Sequence, residues 1–185
     1  AEGESEVSAD GWKTFTLDGF SARMPGEPTD RTSMVPAAPG TAMKFYALDA
    51  AGGNGGYVVM SVTIPPERAS LPAATLLNDA VTGGEAGLSR LGGSDVHVSS
   101  KTDVTQDGFP GKDLQLSLKA NGGQVGLLRC VVARNKAYLY GTIGSKPEHY
   151  AAIQADAKKF LDSVKNDTGE GGVAAAGPGS SSGGP

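Results

Sequence analysis

The stretch from Gly108 to Val164 constrains the fold more than any other part of the chain. It begins with a run in which Leu114, Leu116 and Leu118 alternate with polar residues, a pattern that predicts a strand with one buried face. The next run, 125–133, is apolar at both odd and even positions. It therefore predicts a central strand that is covered on both sides of a sheet.

Turn sequences divide this stretch into hairpins. Asn121-Gly122-Gly123 separates the first run from the second, and Arg134-Asn135-Lys136 leads from the second into a third strand-like run, 137–143. Short turns of this kind join strands that lie side by side in opposite directions. The block is therefore predicted to form an antiparallel meander.

The end of the block, from 145 to 164, is predicted to be an amphipathic helix. Ser145 and Glu148 occupy the positions of a capping box, and Pro147 falls in the first turn, where its missing N–H costs little. Apolar residues then recur at helical spacing and form one stripe: Tyr150, Ile153, Ala157, Phe160, Leu161 and Val164. We expect this stripe to face the meander.

The first half of the chain is predicted to add four strands, a second helix and one more strand. The strands are expected at 12–17, 20–24, 43–48, 57–64 and 96–104, and the helix at 70–91. Gly83, Gly84 and Gly87 each weaken that helix by roughly 1 kcal/mol relative to Ala, so it is expected to be irregular or broken near Gly83. The order ββββαββββα predicts an α+β fold, with an antiparallel β-sheet and two helices packed on its faces in an α/β/α sandwich.

Composition divides the chain into an acidic N-terminal arm (1–10), one domain (11–166) and a Gly/Ser/Pro-rich tail (167–185). The tail is predicted to be flexible, or else to become ordered on a partner. Six of the 20 acidic residues lie in the two ends: Glu2, Glu4, Glu6, Asp10, Asp167 and Glu170. The remaining 14 share the domain with all 16 basic residues, a net charge of +2, and this near neutrality argues against nucleic acid as a partner.

Catalytic and metal-binding patterns do not stand out in the sequence. Neither His97 nor His149 has a second ligand at metal-like spacing, and no phosphate loop or nucleophile elbow occurs. The single cysteine, Cys130, excludes an internal disulfide and is interpreted as a small buried hydrophobe. No apolar run has the length of a transmembrane helix. The sequence thus predicts no catalytic residue, no metal and no cofactor.

Two arginines of the meander are the charges of most interest. Arg129 lies in the otherwise apolar second run, so it is expected either to pair with a carboxylate, Asp113 or Asp162, or to contact an anion or a partner. Arg134 lies in the following turn. The candidate partner contacts are these two arginines and the arm residues Glu2, Glu4 and Glu6.

Several local motifs together resemble a known family. They are Trp12 near the start, FSARMPGEP at 20–28, Gly108-Phe109-Pro110-Gly111 and FLDSV at 160–164. With the element order, they make residues 11–165 similar to the bacterial secreted or lipoprotein-type domains of the PsbP/MOG-like superfamily. The resemblance implies an α/β/α-type sandwich. It also implies a non-catalytic role, since the best-described members are extrinsic subunits of photosynthetic membrane complexes and a GTPase-binding factor. The lipoprotein members carry an N-terminal lipid-attachment Cys, which this sequence lacks, so no lipid anchor is expected unless the sequence is shortened.

Three hypotheses of function follow. The first is a non-catalytic accessory or binding subunit outside the cytoplasm, which docks on a larger protein complex and is in peripheral contact with a membrane. Ala1 would then be the mature N-terminus left by signal-peptide removal, although Ala1 is equally compatible with a shortened chain. The second is a small-ligand carrier. Its pocket would lie between sheet and helices and be lined by Met24, Met43, Met60, Tyr46 and Tyr57. The third is an enzyme of unknown type.

Overall fold

The computed structural model describes residues 11–17, 19–34, 42–50, 55–92 and 95–166. The acidic arm (1–10) and the Gly/Ser/Pro-rich tail (167–185) lie outside the described residues, so the predictions about their flexibility remain predictions. The described part contains ten strands and two α-helices. In chain order they are β1 (Lys13–Leu17), β2 (Phe20–Met24), β3 (Thr29–Asp30), β4 (Met43–Asp49), β5 (Gly55–Thr63), α1 (Ala73–Gly92), β6 (Val96–Gln106), β7 (Phe109–Leu118), β8 (Gln124–Ala133), β9 (Lys136–Gly144), α2 (Pro147–Ser163) and β10 (Lys165–Asn166).

The main sheet is antiparallel and has seven strands in the order β3-β4-β5-β9-β8-β7-β6. The predicted meander of β7, β8 and β9 is confirmed as three adjacent strands. As its two-sided apolar pattern predicted, β8 lies in the interior of the sheet and buries side chains on both faces. Cys130 is 1% exposed on one face, and Val131 is 0% exposed on the other.

Each face of the main sheet carries one helix, which confirms the α/β/α sandwich. On one face, α2 and the β1–β2 hairpin pack around Tyr57, Tyr140 and Phe160. On the opposite face, α1 packs through Leu76, Leu77 and Val81. The α2 stripe that the sequence predicted is buried as expected, at Tyr150, Ile153, Ala157, Phe160, Leu161 and Val164.

A second, three-stranded sheet, with the order β1-β2-β10, was not predicted. It forms because the chain leaving α2 pairs Lys165 and Asn166 with Ser21 and Phe20 of β2. The two-residue strands β3 and β10 have no periodicity of their own, so their pairing depends on contacts between distant parts of the chain. The first hairpin therefore belongs to a small separate sheet instead of the main one.

The predicted capping box at the start of α2 is wrong. Lys146 is the N-cap residue, with extended backbone angles, and no side chain caps the helix. The hydroxyl of Ser145 instead lies 2.5 Å from Nδ1 of His149. Pro147 does occupy the first turn, as predicted. The helix start is thus set by the fixed φ of proline and by burial of the apolar stripe.

The predicted break in the first helix is also wrong, since α1 runs without interruption from Ala73 to Gly92. Packing of Leu76, Leu77 and Val81 against the sheet compensates for the low helix propensity of the glycines. A Cβ atom added at Gly83 or Gly87 would meet nothing within 4 Å, whereas one at Gly84 would lie 3.2 Å from Cδ2 of Leu139.

We therefore expect Gly83→Ala to raise the free energy of unfolding by about 0.5–1 kcal/mol, since alanine restricts the unfolded chain and meets no neighbour in the folded one. Gly84→Ala is the matched control. Its gain is expected to be smaller because Leu139 must move by a few tenths of an ångström. Urea denaturation of both variants measures the difference. A Gly83→Ala variant less stable than the unmodified protein would show that position 83 does not have the free space that the expectation requires.

Candidate functional site

An apolar groove lies between α1 and the part of the main sheet formed by β4, β5 and β9. Its volume is about 640 Å³. Its floor consists of side chains from one face of the sheet, among them Phe45, Val58, Met60 and Leu139. These side chains share a face because alternate residues of a strand point the same way and paired strands keep that register.

The helix side of the groove is shaped by the glycines of α1. Gly83, Gly84 and Gly87 all line it, and they recur at the spacing of one helix face. These positions place only backbone at the wall of the groove. An added Cβ would meet nothing within 4 Å at Gly83 or Gly87, so the groove is open there.

One end of the groove carries a pair of opposite charges. Arg68, in the 3₁₀ turn Pro66–Arg68, donates a hydrogen bond to Asp79 of α1. Both side chains are about half exposed, at 45% and 51%, and both line the groove. Because the two charges neutralise each other, this end offers a hydrogen-bond donor and an acceptor without a net charge.

The pocket predicted from sequence is not formed as a unit. Met43 and Met60 do line the groove, but Met24, Tyr46 and Tyr57 belong to the core on the opposite face of the sheet. Tyr57 and Met60 are three positions apart in one strand, and residues an odd number of positions apart point to opposite faces. The alternation of residues along the strand was the signal that could have separated the two groups.

Cys130 lies on the floor of the groove and is 1% exposed, as the sequence predicted for a buried cysteine. Burial raises the pKa of its thiol to about 12. Since only the thiolate reacts rapidly with disulfide reagents, this cysteine is expected to be inert in the folded protein.

The measurement is the rate of reaction with Ellman's reagent at pH 8. With a pKa of about 12, the thiolate fraction at that pH is on the order of 10⁻⁴. The folded protein should therefore react at least about a thousandfold more slowly than the chain unfolded in urea. Comparable rates in the two states would show that the groove floor opens to solvent.

Arg129 forms a bidentate ion pair with Asp113, one of the two partners that the sequence suggested. Its Nε lies 2.7 Å from Oδ1 of Asp113 and its Nη2 lies 3.1 Å from Oδ2. Its Nη1 donates to Oε1 of Gln106 at 2.9 Å, and Nε2 of Gln106 donates to the carbonyl of Val164 at 3.1 Å. This network connects β7 and β8 to the end of α2.

The hydrogen bond to Asp113 raises the pKa of Arg129, and burial opposes that shift. Tyr140 lies beside the network with a buried hydroxyl. Burial raises the pKa of Tyr140, while the charge of Arg129 acts in the opposite direction. Arg129 is thus a structural cation that is 19% exposed.

The other predicted contact residues lie elsewhere. Arg134 is exposed in the turn between β8 and β9, with a φ of 61°. Glu2, Glu4 and Glu6 lie outside the described residues. The structure therefore does not bring the candidate contact residues into one site, and a role of any of them in partner binding stays a prediction.

The two histidines are on different elements. Nδ1 of His97 lies 3.1 Å from the carbonyl oxygen of Ser117, while His149 contacts Ser145. Within the described ranges, no three His, Cys, Asp or Glu side chains are arranged to hold a metal ion. Of the helices in those ranges, neither is long and apolar enough to cross a membrane.

Comparison with known proteins finds a similar fold but no similar sequence. No protein-family model matches the chain, and no curated protein matches it. Among solved structures, cyanobacterial PsbP (CyanoP) from Synechocystis sp. PCC 6803 is similar, with a TM-score of 0.61 and 13% identity over 86% of this chain and 95% of that chain. The chain has a PsbP-like fold. The expectation from the sequence motifs is therefore confirmed at the level of the fold.

A second solved structure is less similar to this chain. It is PA94, a protein of unknown function from Pseudomonas aeruginosa, with a TM-score of 0.44 and 12% identity over 80% of this chain and 92% of that chain. The PsbP-like fold of the chain does not depend on it.

Proposed function

We propose that this chain is a non-catalytic accessory domain that acts outside the cytoplasm and docks on a larger protein complex. The observation that carries the proposal is the PsbP-like fold, which extends over 95% of the length of cyanobacterial PsbP. A fold can host many functions, so the proposal draws also on the local motifs shared with the PsbP/MOG-like superfamily. Within that superfamily, we propose that the chain is a secreted or lipoprotein-type domain in peripheral contact with a membrane.

The docking surface that we propose centres on the turn between β8 and β9. Arg134 lies there at an exposed position, with a φ of 61°. Arg129 is a weaker candidate because its side chain is only 19% exposed. The acidic arm with Glu2, Glu4 and Glu6 would supply a second, electrostatic contact.

The edges of the main sheet are a poor alternative for docking by strand pairing. Within the described part of the chain, the two-residue strand β3 forms one edge and β6 forms the other. Its register shifts between Val98 and Ser100, and it carries an exposed lysine, Lys101. Bulges and edge lysines are features that discourage the addition of another strand.

Site-specific crosslinking tests the docking surface. A photo-crosslinking amino acid is placed at position 134, or, as the matched control, at Lys119 in the exposed turn at the other end of β8. Irradiation in cells of the source organism should give a discrete protein adduct at 134 and none at 119. Adducts of equal intensity at the two positions would contradict the proposed surface, and no adduct at either would contradict docking through these turns.

A small-ligand carrier is the second candidate function, and the groove favours it. The groove of about 640 Å³ falls in the range of about 300–1,000 Å³ that is usual for small-molecule sites, and its lining is largely apolar. Native mass spectrometry of protein purified from its own organism would test it. A carrier should retain a bound small molecule, which mild organic extraction removes; a protein of the bare chain mass before extraction would contradict this function.

A further inference from the structure

We propose that the groove beneath α1 binds a single unbranched apolar chain that ends in an uncharged hydroxyl or carbonyl group. This inference rests on the carrier function proposed above and names the ligand class for it.

The glycines of α1 determine the shape. At Gly84 the helix approaches β9 closely, since an added Cβ would lie only 3.2 Å from Cδ2 of Leu139. Gly83 and Gly87, which also line the groove, leave open space where a side chain would be. The space beneath the helix is therefore narrow at Gly84 and open at Gly83 and Gly87, which suits a thin, flexible chain better than a branched or ring-shaped ligand.

The floor of the groove determines the body of the ligand. It is formed by aliphatic side chains, by Phe45 and Cys130, and by two methionines, Met43 and Met60, both of them partly exposed. Methionine side chains are flexible and polarizable, so they adjust to chains of different length. A ligand that covers this floor removes apolar surface from water, and that removal is the main source of affinity for such a site.

Charge complementarity determines the head group. Arg68 and Asp79 are the two charged residues among those that line the groove in the described part of the chain, and they are paired with each other. An anionic head would be attracted by Arg68 but repelled by Asp79, and a cationic head would meet the reverse. A hydroxyl or carbonyl group can exchange hydrogen bonds with the pair without bringing an uncompensated charge into the groove.

Displacement of Nile red, an uncharged dye that fluoresces in apolar sites, tests the proposal on the full-length chain. The competitors are 1-octanol, 1-decanol and 1-dodecanol. Each added methylene should tighten binding about fourfold until the groove is filled. Dodecanoate and dodecylammonium should each bind about tenfold more weakly than 1-dodecanol, because both bring a charge to a neutral end.

Two variants place the binding in this groove. Gly87→Leu adds a side chain at a position where a Cβ has free space, so it should fill the groove and weaken dodecanol binding at least about tenfold. Thr82→Ala is the control, since Thr82 is exposed on the same helix and does not line the groove. It should bind dodecanol as the unmodified protein does. Circular dichroism checks that both variants are folded, and Gly83→Leu serves in place of Gly87→Leu if the latter is not.

The outcomes separate the two levels of the proposal. If the unmodified protein binds neither the dye nor any alkanol, the carrier function itself is overturned. If it binds them without dependence on chain length, or binds the charged competitors equally well, the carrier function stands and the ligand class is wrong. Unchanged binding in a folded Gly87→Leu variant would show that the site lies elsewhere.

Discussion

Replacing Phe160 with alanine is expected to lower the free energy of unfolding by about 3–5 kcal/mol. The ring is 0% exposed. It contacts Tyr57 edge-on with 5.5 Å between ring centroids, and Tyr140 edge-on with 6.4 Å. These contacts hold α2 against β5 and β9, so the truncation leaves a cavity between the helix and the sheet that the rigid strands cannot close.

Urea denaturation measures the loss, with Phe15→Ala as the matched control. Phe15 is only partly buried, and its ring packs on Tyr46 at 5.0 Å beside the main core. Its loss should therefore cost about half as much or less. Equal losses in the two variants would contradict the view that the contact between α2 and the sheet is central to the fold.

Arg129→Met is expected to lower the free energy of unfolding by about 2–4 kcal/mol, because it leaves Asp113 without its cation in a position that is 20% exposed. It also removes the partner of Gln106, which holds the end of α2 through the carbonyl of Val164. Thermal and urea unfolding measure the effect.

Two further variants test the reason for that loss. Lys112→Met breaks an ion pair with Asp103, whose carboxylate is 86% exposed, so it should cost no more than about 1 kcal/mol. Combining Arg129→Met with Asp113→Leu removes both charges and should recover part of the stability. A double variant as unstable as the sum of its parts would contradict the assignment of the loss to an unpaired carboxylate.

The elements of this fold that could be predicted from the sequence are those with a local signal. The two-sided apolar pattern of β8 specifies burial on both faces, and the structure confirms it. The alternation of leucines in β7 is confirmed at Leu114 and Leu116 but not at the end of the strand, where Leu118 is partly exposed and Ser117 is buried. The Asp107-Gly108 turn between β6 and β7 has positive φ at both residues, 53° and 85°, as its sequence indicates for a tight hairpin.

Other features depend on contacts that no local pattern contains. The pairing of β10 with β2 joins residues at opposite ends of the domain through two residues only. The sequence predicted a break in α1 because glycines lower helix propensity. The helix is continuous because the packing of its apolar residues on the sheet outweighs that cost. The capping box failed because the Ser145 side chain contacts His149 instead of a backbone N–H.

The candidate site was predicted in part. A pocket between sheet and helix was expected, and two of its five proposed residues, Met43 and Met60, line the groove that the structure shows. Strand alternation could have excluded Tyr57 from it. The role of Gly83, Gly84 and Gly87 was not predicted. In a sequence, glycines within a helix indicate only that the helix is less stable. That they leave room for a groove becomes visible only when the sheet opposite them is known.

Sedimentation of the tagged full-length protein from gently lysed cells of its own organism tests whether it docks on a larger complex. We expect the protein to sediment with an assembly much larger than the 185-residue chain, and the purified protein alone to sediment as the smaller species. Mild salt should release part of it, since the proposed contacts at Arg134 and the acidic arm are electrostatic. Sedimentation as the free chain under all lysis conditions, including after crosslinking in the living cell, would contradict the account.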